Sequence, residues 1–126
     1  MSAGPAIPKP RGPYSPFVRA GDFIYVSGQG PVDPATNQLS LGDVQHETRI
    51  VLENIRHILQ LAGVLPSDVV KCSVFLTNIE DFAAMNEVYA AFFGDSRPAR
   101  TTVAVSSLPG RGMKVEIDCV AYKPAK

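Results

Sequence analysis

The stretch Met113-Lys114-Val115-Glu116-Ile117-Asp118-Cys119-Val120-Ala121-Tyr122 alternates two kinds of side chain. A strand turns successive side chains to opposite faces, so Met113, Val115, Ile117, Cys119 and Ala121 form one apolar face, and Lys114, Glu116, Asp118, Val120 and Tyr122 form the other. The first face calls for a cover of helices. The second sets charges beside Val120 and Tyr122, the composition of a subunit interface with an embedded polar site rather than of plain solvent surface. Together with the order of elements around it, this strand predicts an α+β layer, with helices on one face of a sheet and a further cover on the other.

Working outward, Thr101 to Ser106 reads as the preceding strand, joined to the last one through Leu108-Pro109-Gly110-Arg111-Gly112. Phe82, Met85, Tyr89, Phe92 and Phe93 recur at helical spacing between Glu80 and Phe93, with Gly94 as the stop, and their expected role is core packing. Val69 to Thr77, β-branched and bounded by Pro66-Ser67 and Asn78, is a central strand. From Val44 to Ala62 the residues Val44, Val51, Leu52, Ile55, Ile58, Leu59 and Ala62 mark one helical face, with Asp43 as N-cap and Gly63 at C′. His46, Arg49, Glu53, Arg56, His57 and Gln60 form the solvated stripe. His46 and His57 lie about 16 Å apart along that helix, too far to share a metal. Gly28 to Gly42 is a loop with a brief strand around Leu39, and Phe17 to Ala20 and Phe23 to Ser27 are two strands turning at Gly21-Asp22. The order is β-β-α-β-α-β-β, with both helices on one sheet face.

With 126 residues and 45% hydrophobic content, the chain has material for one core. We expect a single domain over residues 1–126, in which 1–13 form a flexible proline-rich arm; Met1 to Pro16 carries five prolines and two glycines. Twelve basic residues balance twelve acidic ones, which removes any long-range attraction to nucleic acid or anionic lipid. Near-neutral charge also favours self-association. Cys72 and Cys119 fall among apolar neighbours in strands and are expected as buried free thiols. No segment has the apolar length to cross a bilayer and the amino terminus lacks a secretory h-region, so a cytoplasmic protein without membrane partners is expected.

Arg97-Pro98-Ala99-Arg100-Thr101-Thr102-Val103 carries the chemistry of greatest interest. The guanidinium of Arg100 offers a planar fork that matches a carboxylate in two parallel hydrogen bonds. It serves either to hold a ligand's α-carboxylate or to pair with Glu116 or Asp118. Glu116 in turn could position a water, accept a proton or neutralise an arginine. Tyr14 either binds a ligand or pegs the arm, and Ser27-Gly28-Gln29-Gly30 is a weak anion loop because it lacks the GxGxxG spacing. HExxH, CxxC, GxSxG and Walker patterns do not occur. Neither a cofactor nor a metal is expected, and acid-base or water chemistry remains.

Gly12-Pro13-Tyr14-Ser15, Ser27-Gly28-Gln29, Asn54, Val74-Phe75-Leu76, Asp81-Phe82, Met85-Asn86-Glu87-Val88-Tyr89, Phe92-Phe93, Pro98-Ala99-Arg100, Leu108-Pro109 and Val115-Glu116-Ile117 together resemble the RidA/YjgF family, from Gly12 to Ala121 in consistent order. The resemblance implies a chorismate-mutase-like (bacillus type) α+β fold, a homotrimer with sheets around a central barrel, and sites between subunits. It implies hydrolysis of 2-aminoacrylate and its imine tautomer, and of related 2-imino acids, to 2-oxo acids and ammonia. By position, Arg100 resembles the carboxylate anchor and Glu116 the residue that orients the attacking water. Tyr14, Ser27, Gly28 and Asn86 resemble lining positions, and the backbone at Thr102 the group facing the substrate nitrogen. Thr102 departs from the cysteine of well-known deaminating members, and the Pro109 to Met113 loop is about one residue longer than usual. Two other readings compete: a non-catalytic trimer that senses 2-oxo or amino acids, and an L-PSP-type endoribonuclease. Neutral charge and the lack of a basic stripe or a histidine pair near Arg100 disfavour the second.

Overall fold

A computed structural model describes residues 6–124. The chain runs through β1 (Phe17–Ala20), β2 (Phe23–Gln29), β3 (Val32–Asp33), β4 (Gln38–Leu39), α1 (Val44–Leu61), β5 (Val69–Leu76), α2 (Phe82–Phe93), β6 (Ala99–Ala104) and β7 (Val115–Tyr122), with 3-10 turns at Pro66–Asp68 and Ile79–Asp81. Five strands form one sheet in the order β1-β2-β7-β5-β6, and β3 pairs with β4 as a separate ribbon. β5 and β6 are parallel, joined by the α2 crossover, while the other ladders are antiparallel. This is the expected α+β arrangement, with both helices packed on one face of a mixed sheet.

The alternation in β7 is realised: Val115, Ile117, Cys119 and Ala121 are buried against α1 and the rest of the core, and Tyr122 is exposed. α1 supplies Val51, Leu52, Ile55, Ile58 and Leu59 to that core. Its N-cap is Asp43, whose side chain accepts from His46 N–H at 2.8 Å, and Gly63 follows it at φ +82. Cys72 and Cys119 are buried free thiols facing each other across β5 and β7.

Several boundaries differ from the sequence expectation. In the segment from Gly28 to Gly42 the brief strand expected around Leu39 is present as β4, but the end of β2 and the partner strand β3 stand where loop is expected. Each ribbon strand is two residues long, too short for any alternation to register. The second helix starts at Phe82 rather than Glu80, because Asn78 caps a 3-10 turn by accepting from Glu80 N–H at 3.0 Å. β6 begins at Ala99 and ends at Ala104, two residues before its expected span, since its ladder with β5 opens at Lys71 and Ala99. Of the expected arm, residues 1–5 lie outside the described part. Within the remainder, Ile7 packs on the core and Lys9 and Arg11 bond to Asn37.

A buried carboxylate fastens the start of α1 to the start of β7. Glu47, 0% exposed, accepts from Lys114 N–H at 2.7 Å and Gly42 N–H at 3.2 Å and pairs with Lys114 Nζ at 3.2 Å. The face opposite the helices carries no such cover: Val18, Phe23, Tyr25, Val103 and Tyr122 expose 39–53% of their surface there. No helix among the described residues is long and apolar enough to cross a membrane.

Candidate active site

Arg100 sits on β6 in register with the buried Cys72, so its side chain points to the helix face of the sheet. There the guanidinium carbon lies 4.6 Å from the Tyr89 ring centroid and 5.5 Å from that of Phe82, and Nη1 is 3.9 Å from Met85 Sδ. Aromatic faces attract a cation without consuming its hydrogen-bond donors, so the fork remains available to a ligand. The ion pair with Glu116 or Asp118, the competing reading of Arg100, does not form: both carboxylates occupy the other face of the sheet. The aromatic stripe of α2 accordingly does more than fill the core. Met85, Tyr89 and Phe93 are buried, but Phe82 is 40% exposed and helps seat the guanidinium.

A groove of about 420 Å3 opens beside Arg100, lined also by Asn86, Tyr89, Arg97 and Pro98. Asn86 Oδ1, the Tyr89 hydroxyl and Thr102 Oγ1 are buried and without a hydrogen-bond partner. Thr102 follows Arg100 by two residues on the same face of β6, in register with Val74. The Tyr89 hydroxyl has the Cys72 thiol as a weak polar neighbour, and burial pushes its pKa well above the ordinary value. Unpaired buried polar atoms are rare in native proteins and call for a partner such as water, an ion or a ligand.

Glu116 is on the opposite face of the sheet, in register with Phe75 of β5. Burial raises its carboxyl above the usual carboxylate range and the negative charge of Asp118 adds to the effect. β2 bulges beside it: from Val26 to Gln29 the strand takes three steps while β7 takes two, from Cys119 to Ile117. The bulge frees Ser27 and Gly28 from the ladder and brings them to Glu116. A Cβ on Gly28 would lie 2.4 Å from Glu116 Oε2, so glycine is what permits this approach. Ser27 donates from its hydroxyl to Ser15 C=O at 2.6 Å and from its N–H to Pro16 C=O at 3.0 Å, which docks the Gly12–Pro16 segment against the strand. Tyr14, Ser27, Gly28 and Glu116 line one cavity of about 600 Å3.

The expected site residues thus fall into two groups that one chain cannot unite. Arg100, Asn86 and Thr102 belong to the helix side; Tyr14, Ser27, Gly28 and Glu116 belong to the open side. Sequence reasoning missed Phe82 and Tyr89 as the seat of the guanidinium. Their signal was the seven-residue spacing, two turns on one helix face, which core packing also produces.

A model of the family described as Endoribonuclease L-PSP matches residues 5–123. A RutC family protein of Pyrococcus horikoshii is 51% identical over 116 residues, covering 92% of this chain and 91% of that protein. A 2-iminobutanoate/2-iminopropanoate deaminase of Dermatophagoides farinae is 38% identical over 116 residues, covering 92% and 90%. The crystal structure of RidA from an Antarctic Psychrobacter superposes with a TM-score of 0.88 at 41% identity, covering 93% of this chain and 94% of that one.

Proposed function

Given that the chain belongs to the L-PSP family of RidA/YjgF proteins, we propose that it hydrolyses 2-imino acids of the 2-aminoacrylate/2-iminopropanoate type to 2-oxo acids and ammonia. The observation that carries this reading is the cluster of unpaired polar groups around Arg100: an arginine held by rings instead of by a carboxylate, with Asn86 Oδ1 and Thr102 Oγ1 buried and unsatisfied nearby. A small acid with a nitrogen at its reacting carbon offers a complement to such a set. The name borne by the Dermatophagoides relative agrees with it.

Because Arg100 and Glu116 lie on opposite faces of the sheet, the working site takes Arg100 from one copy and Glu116 from the next. Three copies packed through their open faces, as the homotrimer of the family resemblance requires, would cover the exposed aromatic surface and bring the two halves together. In that site the Arg100 fork binds the substrate carboxylate and presents the C=N carbon to a water beside Glu116. The Glu116 carboxylate accepts a proton as the water oxygen bonds to carbon, and the C=N electron pair moves to nitrogen. Glu116 returns that proton to the nitrogen, giving a carbinolamine; the hydroxyl proton then passes through Glu116 to the nitrogen as the C–N bond breaks and the O–H electron pair closes the C=O, leaving a 2-oxo acid and ammonia. Its raised pKa brings donor and acceptor forms closer in energy near neutral pH, which suits a group that must do both. Imines hydrolyse unaided, so positioning and charge complementarity are sufficient sources of acceleration.

The test generates 2-aminoacrylate from serine with a dehydratase and follows pyruvate formation with and without the purified protein. Faster release, proportional to added protein, supports the assignment. Pyruvate release at the spontaneous rate at every concentration refutes it.

A further inference from the structure

The cavity holding Glu116, about 600 Å3 in a single copy, is lined on its arm side by charged residues. Lys9 and Arg11 line that same cavity. Neither has a carboxylate within ion-pair distance among the described residues. The backbone of Lys9 and both the backbone and guanidinium of Arg11 are held in place. Lys9 N–H donates to Asn37 Oδ1 at 2.9 Å, Arg11 Nη2 to the Asn37 carbonyl at 2.8 Å, and Arg11 N–H to the Tyr14 hydroxyl at 3.2 Å. Asn37 ends the β3–β4 turn in the left-handed region at φ 58, which presents its side chain and its carbonyl to the same segment. Pro8 and Pro10 fix φ on either side of Lys9. With Nη2 engaged, Arg11 keeps Nη1 and Nε without a partner among the described residues.

We propose that Arg11, assisted by Lys9, forms a second anion subsite that selects 2-imino dicarboxylic acids, the imines derived from acidic amino acids. This deepens the reading above and rests on it: the α-carboxylate engages Arg100 of the neighbouring copy, the reacting carbon faces Glu116, and the side-chain carboxylate reaches the two cations. The step is the same hydrolysis, C=NH plus water giving C=O plus ammonia. Preorganised cations lower the ordering cost of binding the longer substrate, and they offset the repulsion between its extra charge and Glu116.

The experiment compares kcat/KM for 2-iminosuccinate, generated from aspartate by an oxidase, with that for 2-iminopropanoate generated from alanine. Wild-type protein is expected to favour the dicarboxylate by about tenfold, and Arg11→Gln to lower that ratio about tenfold, chiefly through KM. Arg11→Lys should recover part of the ratio. A wild-type ratio of one or less, or a ratio unmoved by Arg11→Gln, overturns the subsite. If neither imine is turned over, the proposed reaction fails, and calorimetry with the stable analogues 2-oxoglutarate and pyruvate decides the subsite separately. Tighter binding of 2-oxoglutarate that Arg11→Gln abolishes upholds it, and equal affinities refute it.

Discussion

Arg100 is held by the faces of Tyr89 and Phe82 and the sulfur of Met85, contacts that orient a guanidinium while leaving its N–H groups unspent. Lysine keeps the charge but not the fork. Arg100→Lys is therefore expected to lower kcat/KM for imine hydrolysis by about ten- to a hundredfold, the equivalent of one charge-assisted hydrogen bond at ~1.5–3 kcal/mol, with the oligomer unchanged by light scattering. Glu116 makes a prediction of a different kind. Its carboxyl titrates above its ordinary 4.5, so the folded chain retains a proton that the unfolded chain has released. Stability therefore falls as pH rises from 4.5 through the raised value, and the full penalty remains above it. Glu116→Gln should abolish turnover yet raise Tm by about 1–3 °C at mildly alkaline pH, the gain closing as pH falls towards 4.5; scans across pH check both the sign and the window. At this scale Arg100 and Glu116 stood out as candidates through fork chemistry and the family resemblance. Their separation onto two faces was not. In β6 the alternating pairs Arg100 and Thr102, Thr101 and Val103 differ too little in polarity to reveal which pair faces inward, and only the register with Cys72 of β5 decides it.

The elements carry the next constraint. β7 brings Glu116 to the cavity, and the start of β7 is pinned to α1 by Glu47 through Lys114. Removing that carboxylate strands the part-buried Lys114 N–H, while the half-exposed lysine can turn to water. Glu47→Ala is expected to cost about 1–3 kcal/mol, lowering Tm by roughly 4–12 °C in a thermal melt. Glu47 itself was not legible as a buried residue. It occupies the first turn of an amphipathic helix, where a glutamate ordinarily faces water and favours the helix dipole, and its partner lies 67 residues away in sequence. The long periodic elements were legible to within one or two residues: α1, β5 and β7 each repeat their pattern often enough to average out exceptions. Of the β3–β4 ribbon only the strand at Leu39 was legible; β3 and the bulge at Ser27 and Gly28 were not, because a two-residue strand has no period and a bulge is defined by its partner.

For the whole molecule, the deciding feature is the aromatic and aliphatic surface left on the open face of the sheet. Tyr25, 49% exposed, sits near its middle beside Phe23, with ring centroids 6.4 Å apart. A charge placed there meets its own copies across the proposed interface. Tyr25→Lys is expected to shift the mass in solution from three chains to one, to keep the far-ultraviolet spectrum of the fold, and to lose at least about tenfold in imine hydrolysis. The mixed face of β7, with Glu116 and Asp118 beside Val120 and Tyr122, leads to the same expectation of a covering partner.

The placement of Arg100 and Glu116 on opposite sides of the same sheet has a genetic counterpart. In the proposed assembly, two defective alleles, one encoding Arg100→Lys and the other Glu116→Gln, would each spoil a different half of every crevice. When their products are refolded together at random, about one crevice in four inherits the intact half from both parents. The mixed preparation should then reach about a quarter of normal turnover, well above the residual turnover of Arg100→Lys and the absence of turnover in Glu116→Gln when each is refolded alone.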